Sequence, residues 1–130
     1  KKWEKDNLIE WWGYNEDMSK ILSSSTIVVL PSYREGLPKV LIEAAACGRA
    51  IITTDVPGCR DAIIPGVSGL IVPLYDIDEL ANSIKKLLDD PYMCSKMGKA
   101  GRKFAERYFD LKKIVNDHIE VYNELLFKSN

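Results

Sequence analysis

The chain has 130 residues, 46% of them apolar, with 18 basic and 19 acidic side chains and a formal net charge of -1. That length supports one domain at most, with a sizeable core, and the even charge balance without a dense Lys/Arg run argues against nucleic acid as a partner. No apolar run approaches the ~18 residues that a membrane-spanning helix requires, and the start, Lys1-Lys2-Trp3-Glu4-Lys5-Asp6, lacks a signal-peptide core.

The three cysteines, Cys47, Cys59 and Cys94, form an odd number without Cys-x-x-Cys spacing, and the single histidine, His118, lies far from all of them. Free thiols in a reducing cytosol are expected, and no metal site. Because the chain starts at Lys1 rather than Met, residues 1–130 are expected to be one partial domain of a longer protein.

Residues 7–12, Asn-Leu-Ile-Glu-Trp-Trp, read as a short strand with Trp11 and Trp12 in the core. The loop Gly13-Tyr14-Asn15 follows, with Tyr14 at a turn, and then a helix over about residues 16–23. The β-branched run Thr26-Ile27-Val28-Val29-Leu30 reads as a buried parallel strand. From its end runs Pro31-Ser32-Tyr33-Arg34-Glu35-Gly36-Leu37-Pro38, a loop, and then Lys39-Val40-Leu41-Ile42-Glu43-Ala44-Ala45-Ala46-Cys47-Gly48.

Pro38 suits the first helical position and Gly48 the residue past the end, which brackets a helix of roughly ten residues. With Leu37 as the cap, the amides of Leu37, Lys39 and Val40 have no intrahelical acceptor and sit at the positive end of the helix dipole. Such a terminus suits a phosphate. The helix is apolar nearly all round, so Glu43 stands out: a buried carboxylate needs hydrogen-bond donors, and the two adjacent hydroxyls of a ribose would supply them. At helical and extended rises per residue, the Glu35 and Glu43 carboxylates lie on the order of 10–15 Å apart, room for the diphosphate of a nucleotide sugar. Two plainer readings stand beside this one: Glu35 merely biasing charge toward the helix N-terminus, and Glu43 pairing with an internal cation such as Arg60.

Residues 50–54 read as the next strand and Asp55-Val56-Pro57-Gly58 as its exit, with a helical turn over 59–63 carrying Arg60 and Asp61. Pro65-Gly66-Val67-Ser68-Gly69 makes a bend before a strand at Leu70-Ile71-Val72. Asp76 caps a helix whose apolar residues Ile77, Leu80, Ala81, Ile84, Leu87 and Leu88 share one face. A second helix over about 92–107, with a break expected at Gly98 or Gly101, carries Lys96, Lys99, Arg102, Lys103 and Arg107, read as a solvated basic face with anionic lipid as the alternative partner. The last helix, about 111–127, aligns Leu111, Ile114, Val115, His118, Ile119, Tyr122, Leu125 and Leu126, which makes His118 a core or interdomain residue.

The Glu35–Glu43 pair, around Gly36-Leu37-Pro38 and followed by Ala44-Ala45-Ala46-Cys47-Gly48, resembles the Glu-x7-Glu motif of the retaining glycosyltransferases called family 4. Ile51-Ile52-Thr53-Thr54-Asp55-Val56-Pro57-Gly58 and Gly69-Leu70-Ile71-Val72-Pro73 are similar to later segments of the same family, so the resemblance runs over residues 13–107. It implies an α/β fold: a Rossmann-like parallel sheet flanked by helices, the C-terminal half of a two-domain GT-B architecture, ending in two or three helices. The partners it implies are a nucleotide-sugar donor, expected to be a UDP-sugar because uridine is the commonest base among similar proteins, and an N-terminal acceptor domain absent from this chain, as are the family's Arg and Lys on the diphosphate.

Carried across residue by residue, Glu35 and Glu43 are the candidate catalytic pair, Glu35 on hydroxyls of the donor sugar and Glu43 on the ribose diol. Gly13 and Tyr14 lie beside the base, and Gly36, Leu37, Pro38, Lys39 and Val40 hold the sugar and diphosphate. Neither glutamate is a general base in the inverting sense; retention in the family is described as front-face attack assisted by the leaving phosphate. No cofactor or metal is implied. The implied setting is cell-surface polysaccharide synthesis in the cytoplasm, peripheral at the inner face of the membrane. A non-catalytic nucleotide-sugar-binding or interaction module, and a related enzyme such as a nucleotide-sugar epimerase or glycan synthase, remain open alternatives.

Overall fold

The computed structural model describes residues 2–127. Three parallel strands, β1 (Ile27–Leu30), β2 (Ala50–Thr54) and β3 (Gly69–Val72), lie in the order β1-β2-β3. Val28 pairs with Ile51 and Ile52 with Leu70 in register. Around them stand α1 (Lys2–Lys5), α2 (Met18–Ser24), α3 (Lys39–Ala46), α4 (Pro57–Asp61), α5 (Ile77–Asp89), α6 (Pro91–Tyr108) and α7 (Leu111–Phe127).

The sheet is buried on both faces, so all five residues of β2, Ala-Ile-Ile-Thr-Thr, are buried. Alternation along the strand divides the core. Ile51 joins Leu22, Leu41, Ala44, Cys59 and Ala105 on one side, whereas Ala50 and Ile52 join Val72, Leu87, Cys94 and Met97 on the other. Because Cys94 and Met97 belong to one cluster and Ala105 to the other, α6 passes across the sheet edge and ties both faces together.

The expected break in α6 does not occur. Gly98 and Gly101 are buried inside a continuous helix, and Gly98 lets two backbones approach: a Cβ there would stand 2.1 Å from the Gly48 carbonyl oxygen. Gly48 itself has φ +66° and closes α3 as expected, with its amide on Ala45 O at 2.9 Å and the Arg49 amide on Ala44 O at 3.0 Å.

Two expectations fail near the termini. Residues 7–12 form no strand, and Trp11 is 80% exposed. Locally, α1 ends in a turn with Asn7 at φ +53° and the Leu8 amide bonded to Trp3 O, and the segment that follows pairs with none of the three strands. In α7 no residue is buried; the apolar stripe forms as spaced but faces solvent, and His118 is exposed with Nδ1 2.7 Å from Ile114 O. His118 is therefore not a core residue.

Candidate functional site

All three strands end, at their carboxyl edge, beneath the loop that carries Glu35, where ligands of open parallel sheets bind. Two threonines at the end of β2 hold that loop. Thr53 Oγ1 donates to Leu30 O at 2.9 Å and Thr54 Oγ1 donates to Ser32 O; both threonines are buried. Ser32 in turn donates from Oγ to Glu35 Oε1 at 2.7 Å. A continuous set of bonds thus runs from the sheet core to the Glu35 carboxylate. The only sign of this relay in the sequence is the pair of threonine hydroxyls closing a strand that begins apolar.

A second brace comes from α4. Pro57 occupies its first turn, so the helix starts earlier than the expected 59–63. Gly58 lies against the loop so closely that a Cβ would fall 1.5 Å from Gly36 O and 2.7 Å from Glu35 O. Only a residue without a side chain fits there.

Helix α3 begins one residue later than expected. Pro38 is its cap, buried, with φ -72° and ψ 110°. Its carbonyl accepts from the Leu41 amide at 3.0 Å and the Ile42 amide at 3.4 Å, which leaves the Lys39 and Val40 amides as the open donors of the first turn. The amide of Leu37, assigned to that set on the expected boundary, belongs to the loop instead. Gly36 and Leu37 are exposed, and no atom lies within 4 Å of where a Gly36 Cβ would point.

Glu43 is not buried, contrary to expectation. Its side chain is 35% exposed and pairs with Lys39 Nζ at 3.3 Å, one turn away on the same helix. Arg60, the alternative partner, pairs with Asp55 at 3.1 Å. Since Lys39 is 88% exposed, the Lys39–Glu43 pair is worth only a few tenths of a kcal/mol, and an incoming ligand breaks it at little cost.

Glu43, Lys39 and Val40 line an open cleft of about 530 Å³ with Tyr14, Asn15 and Asp17. The fold thereby joins two segments, residues 14–19 and 39–43, that are 20 residues or more apart in sequence. Gly13, at φ +64°, sets the turn that delivers Tyr14, which is 91% exposed at the cleft rim. Asp17 caps α2, accepting from Ser19 Oγ at 2.8 Å and the Lys20 amide at 3.1 Å, and these bonds hold its carboxyl below the usual carboxylate range. The cleft is consequently divided. Its α2 side is acidic and suits hydroxyl or N–H donors, while the α3 terminus offers Lys39 and two amides to an anion. Glu35 lies outside the lining of this cleft, on the loop beyond the α3 N-terminus. Among the described residues no cluster of His, Cys, Asp and Glu could hold a metal ion.

Residues 1–104 match the family described as glycosyl transferases group 1. The chain is 31% identical over 118 residues, 91% of its length and 31% of the other's, to the N,N'-diacetylbacillosaminyl-diphospho-undecaprenol alpha-1,3-N-acetylgalactosaminyltransferase of Campylobacter jejuni. It is 34% identical over 113 residues to the capsular polysaccharide biosynthesis glycosyltransferase CapM of Staphylococcus aureus, covering 87% of this chain and 30% of that one. The chain therefore spans about a third of the length of these curated relatives. Among solved structures, sucrose-phosphate synthase from Thermosynechococcus elongatus superposes with a TM-score of 0.89 at 32% identity, over 99% of this chain and 33% of that one. HepE of Anabaena, in complex with UDP, matches with a TM-score of 0.89 at 21% identity, over 95% of this chain and 34% of that one.

Proposed function

This chain belongs to the group 1 glycosyl transferases, and from that premise we propose that it is the donor-binding part of a retaining family 4 enzyme that transfers a sugar from a UDP-sugar to a glycan or lipid-linked acceptor. The observation that carries the reading is the cleft in which Tyr14, Lys39, Val40 and Glu43 converge at the N-terminus of α3. The base lies along Gly13 and Tyr14, the ribose diol donates to Glu43, and the diphosphate takes the Lys39 and Val40 amides. The sugar then reaches Glu35 and the Gly36–Pro38 loop.

The chemistry follows from where charge develops. As the bond from the anomeric carbon to the diphosphate breaks, negative charge grows on the leaving oxygens. The two amides, already aimed at that place, stabilise the transition state more than the ground state because they need no reorganisation, and Lys39, freed from its weak pair with Glu43, adds its charge there. Glu35, held by Ser32, fixes the sugar hydroxyls and with them the orientation of the anomeric carbon. The reaction needs no cofactor beyond the donor itself. Acceptor recognition falls to the remainder of the whole protein, which works in cell-surface polysaccharide synthesis at the cytoplasmic face of the membrane, held there peripherally.

The likeness to sucrose-phosphate synthase favours a second reading, transfer to a small phosphorylated acceptor. The test of the main reading is binding of UDP and UDP-glucose to Glu43→Ala and Glu35→Ala variants. Loss of a hydrogen bond to a charged group at Glu43 weakens both ligands by on the order of 1.5 kcal/mol, while Glu35→Ala weakens UDP-glucose and leaves UDP unchanged. Equal, undiminished binding in both variants overturns the assignment.

A further inference from the structure

Peripheral attachment needs a surface, and the candidate site occupies the wrong end of the molecule to supply one. Helix α6 meets the sheet through Gly98, at the start of β2, opposite the Glu35 loop. Its buried residues Cys94, Met97, Gly98, Gly101 and Ala105 define one face. On the opposite face, Tyr92, Lys96, Lys99 and Lys103 follow one another at helical spacing.

These residues line two contiguous depressions of different character. One, of about 370 Å³, is walled by Tyr92, Ser95, Lys96, Lys99, Ala100 and Lys103. The other, of about 440 Å³ and largely apolar, shares Tyr92, Lys96 and Ala100 and adds Val67, Met93 and Met97 beside Gly66 and Asp90, whose carboxylate is turned to the Met93 amide as the cap of α6. None of the three lysines forms an ion pair among the described residues, whereas Lys39, Lys85 and Arg102 all do. Tyr92 is 77% exposed between the cationic and apolar halves, and Val67 is exposed beside it.

We propose that this face of α6 docks on an anionic lipid surface, with Lys96, Lys99 and Lys103 on the headgroup phosphates and Tyr92 and Val67 entering the interface. Charge complementarity selects the anionic headgroup, and the adjoining apolar depression selects a bilayer over a nucleic acid. Tyrosine, with an apolar ring and a polar tip, suits that depth, and lysine stems lie along apolar surface while the ammonium reaches outward. Docked this way, the carboxyl edge of the sheet and its cleft face away from the bilayer, which suits the glycan acceptor of the reading above, extending from the surface, rather than the lipid-linked one. The inference gives a surface to the peripheral attachment proposed above, but its geometry is independent of the donor site and its experiment uses no nucleotide.

The experiment is sedimentation of the 130-residue chain with vesicles of phosphatidylcholine alone or of equimolar phosphatidylglycerol and phosphatidylcholine. Binding to the anionic vesicles only, falling with salt, is expected. Each lysine contributes about fivefold in partitioning, so Lys96→Ala/Lys99→Ala/Lys103→Ala lowers it about a hundredfold, and Tyr92→Ala lowers it at unchanged charge. Removing the same charge at Lys20, Lys86 and Lys112 controls for net charge and leaves binding within a few-fold. Equal binding to both vesicles, no binding to either, an equal loss from the control triple, displacement by millimolar inorganic phosphate, or preferential capture by duplex DNA would each overturn the proposal.

Discussion

Gly58, in the first turn of α4, packs its α-carbon against the carbonyl of Gly36, so that the loop bearing Glu35 is clamped between a helix start and the end of the sheet. The neighbour is backbone, which cannot swing aside as a side-chain tip would. Gly58→Ala is therefore expected to displace the loop, costing about 1–3 kcal/mol of stability as an overpacked site and weakening UDP-sugar binding further. Gly36→Ala, with open space around its Cβ, leaves stability within about 0.5 kcal/mol. Paired thermal melts of the two variants check the contrast, and equal losses would contradict the clamp.

Ser32 acts on the sugar end of the cleft only. Ser32→Ala removes the 2.7 Å bond to Glu35, and on a half-buried loop its loss is expected to cost about 1 kcal/mol, near fivefold in affinity. Isothermal titration should find that loss with UDP-glucose and not with UDP. A matched loss with UDP would place Ser32 in the nucleotide site instead.

Gly98→Ala brings a methyl group within 2.1 Å of Gly48 O, at the junction of α6 with the start of β2. Because this contact lies at the far end of the sheet from the cleft, destabilisation of about 1–3 kcal/mol is expected with nucleotide affinity retained below the melting transition. Denaturant unfolding followed by binding at low temperature separates the two effects.

Burial raises the Cys94 thiol above its ordinary value of 9.0, outweighing the opposing charge of Arg49. A raised folded-state value means that the unfolded chain loses this proton first. The associated stability is complete below about pH 9 and declines as pH rises through the folded value. Cys94→Ala should flatten the alkaline limb of the stability profile, after its own cavity cost is subtracted, and a thiol reagent at neutral pH should modify the half-buried Cys47 before Cys94.

Much of this architecture is legible in the residues. The strands at 27–30, 50–54 and 69–72 announce themselves as β-branched runs between loops, and Asp76 and Gly48 punctuate their helices where they should. What stayed hidden is tertiary. Gly98 and Gly101 read as helix breakers, yet they are contact points inside a continuous helix: Gly98 meets Gly48, fifty residues away, and Gly101 meets Ala45 and Ser68. Glu43 reads as buried because its neighbours on α3 apart from Lys39 are apolar, yet an open cleft lies between it and the start of α2. Thr53 and Thr54 read as ordinary strand residues, and only pairing with β1 reveals that their hydroxyls support Ser32 and Glu35. Trp11 and Trp12 read as core for want of any signal that the chain turns away at Asn7.

The most direct test of the donor-site account is an NMR titration of the chain with UDP, GDP and UDP-glucose, following amides from Gly13 to Ala46. The account predicts that UDP shifts Gly13–Asn15 and Lys39–Glu43 together, that UDP-glucose adds shifts at Ser32, Glu35 and Gly36, and that GDP produces less. Shifts from UDP confined to other regions, or none at concentrations where Glu43→Ala and the parent chain behave alike, would contradict it.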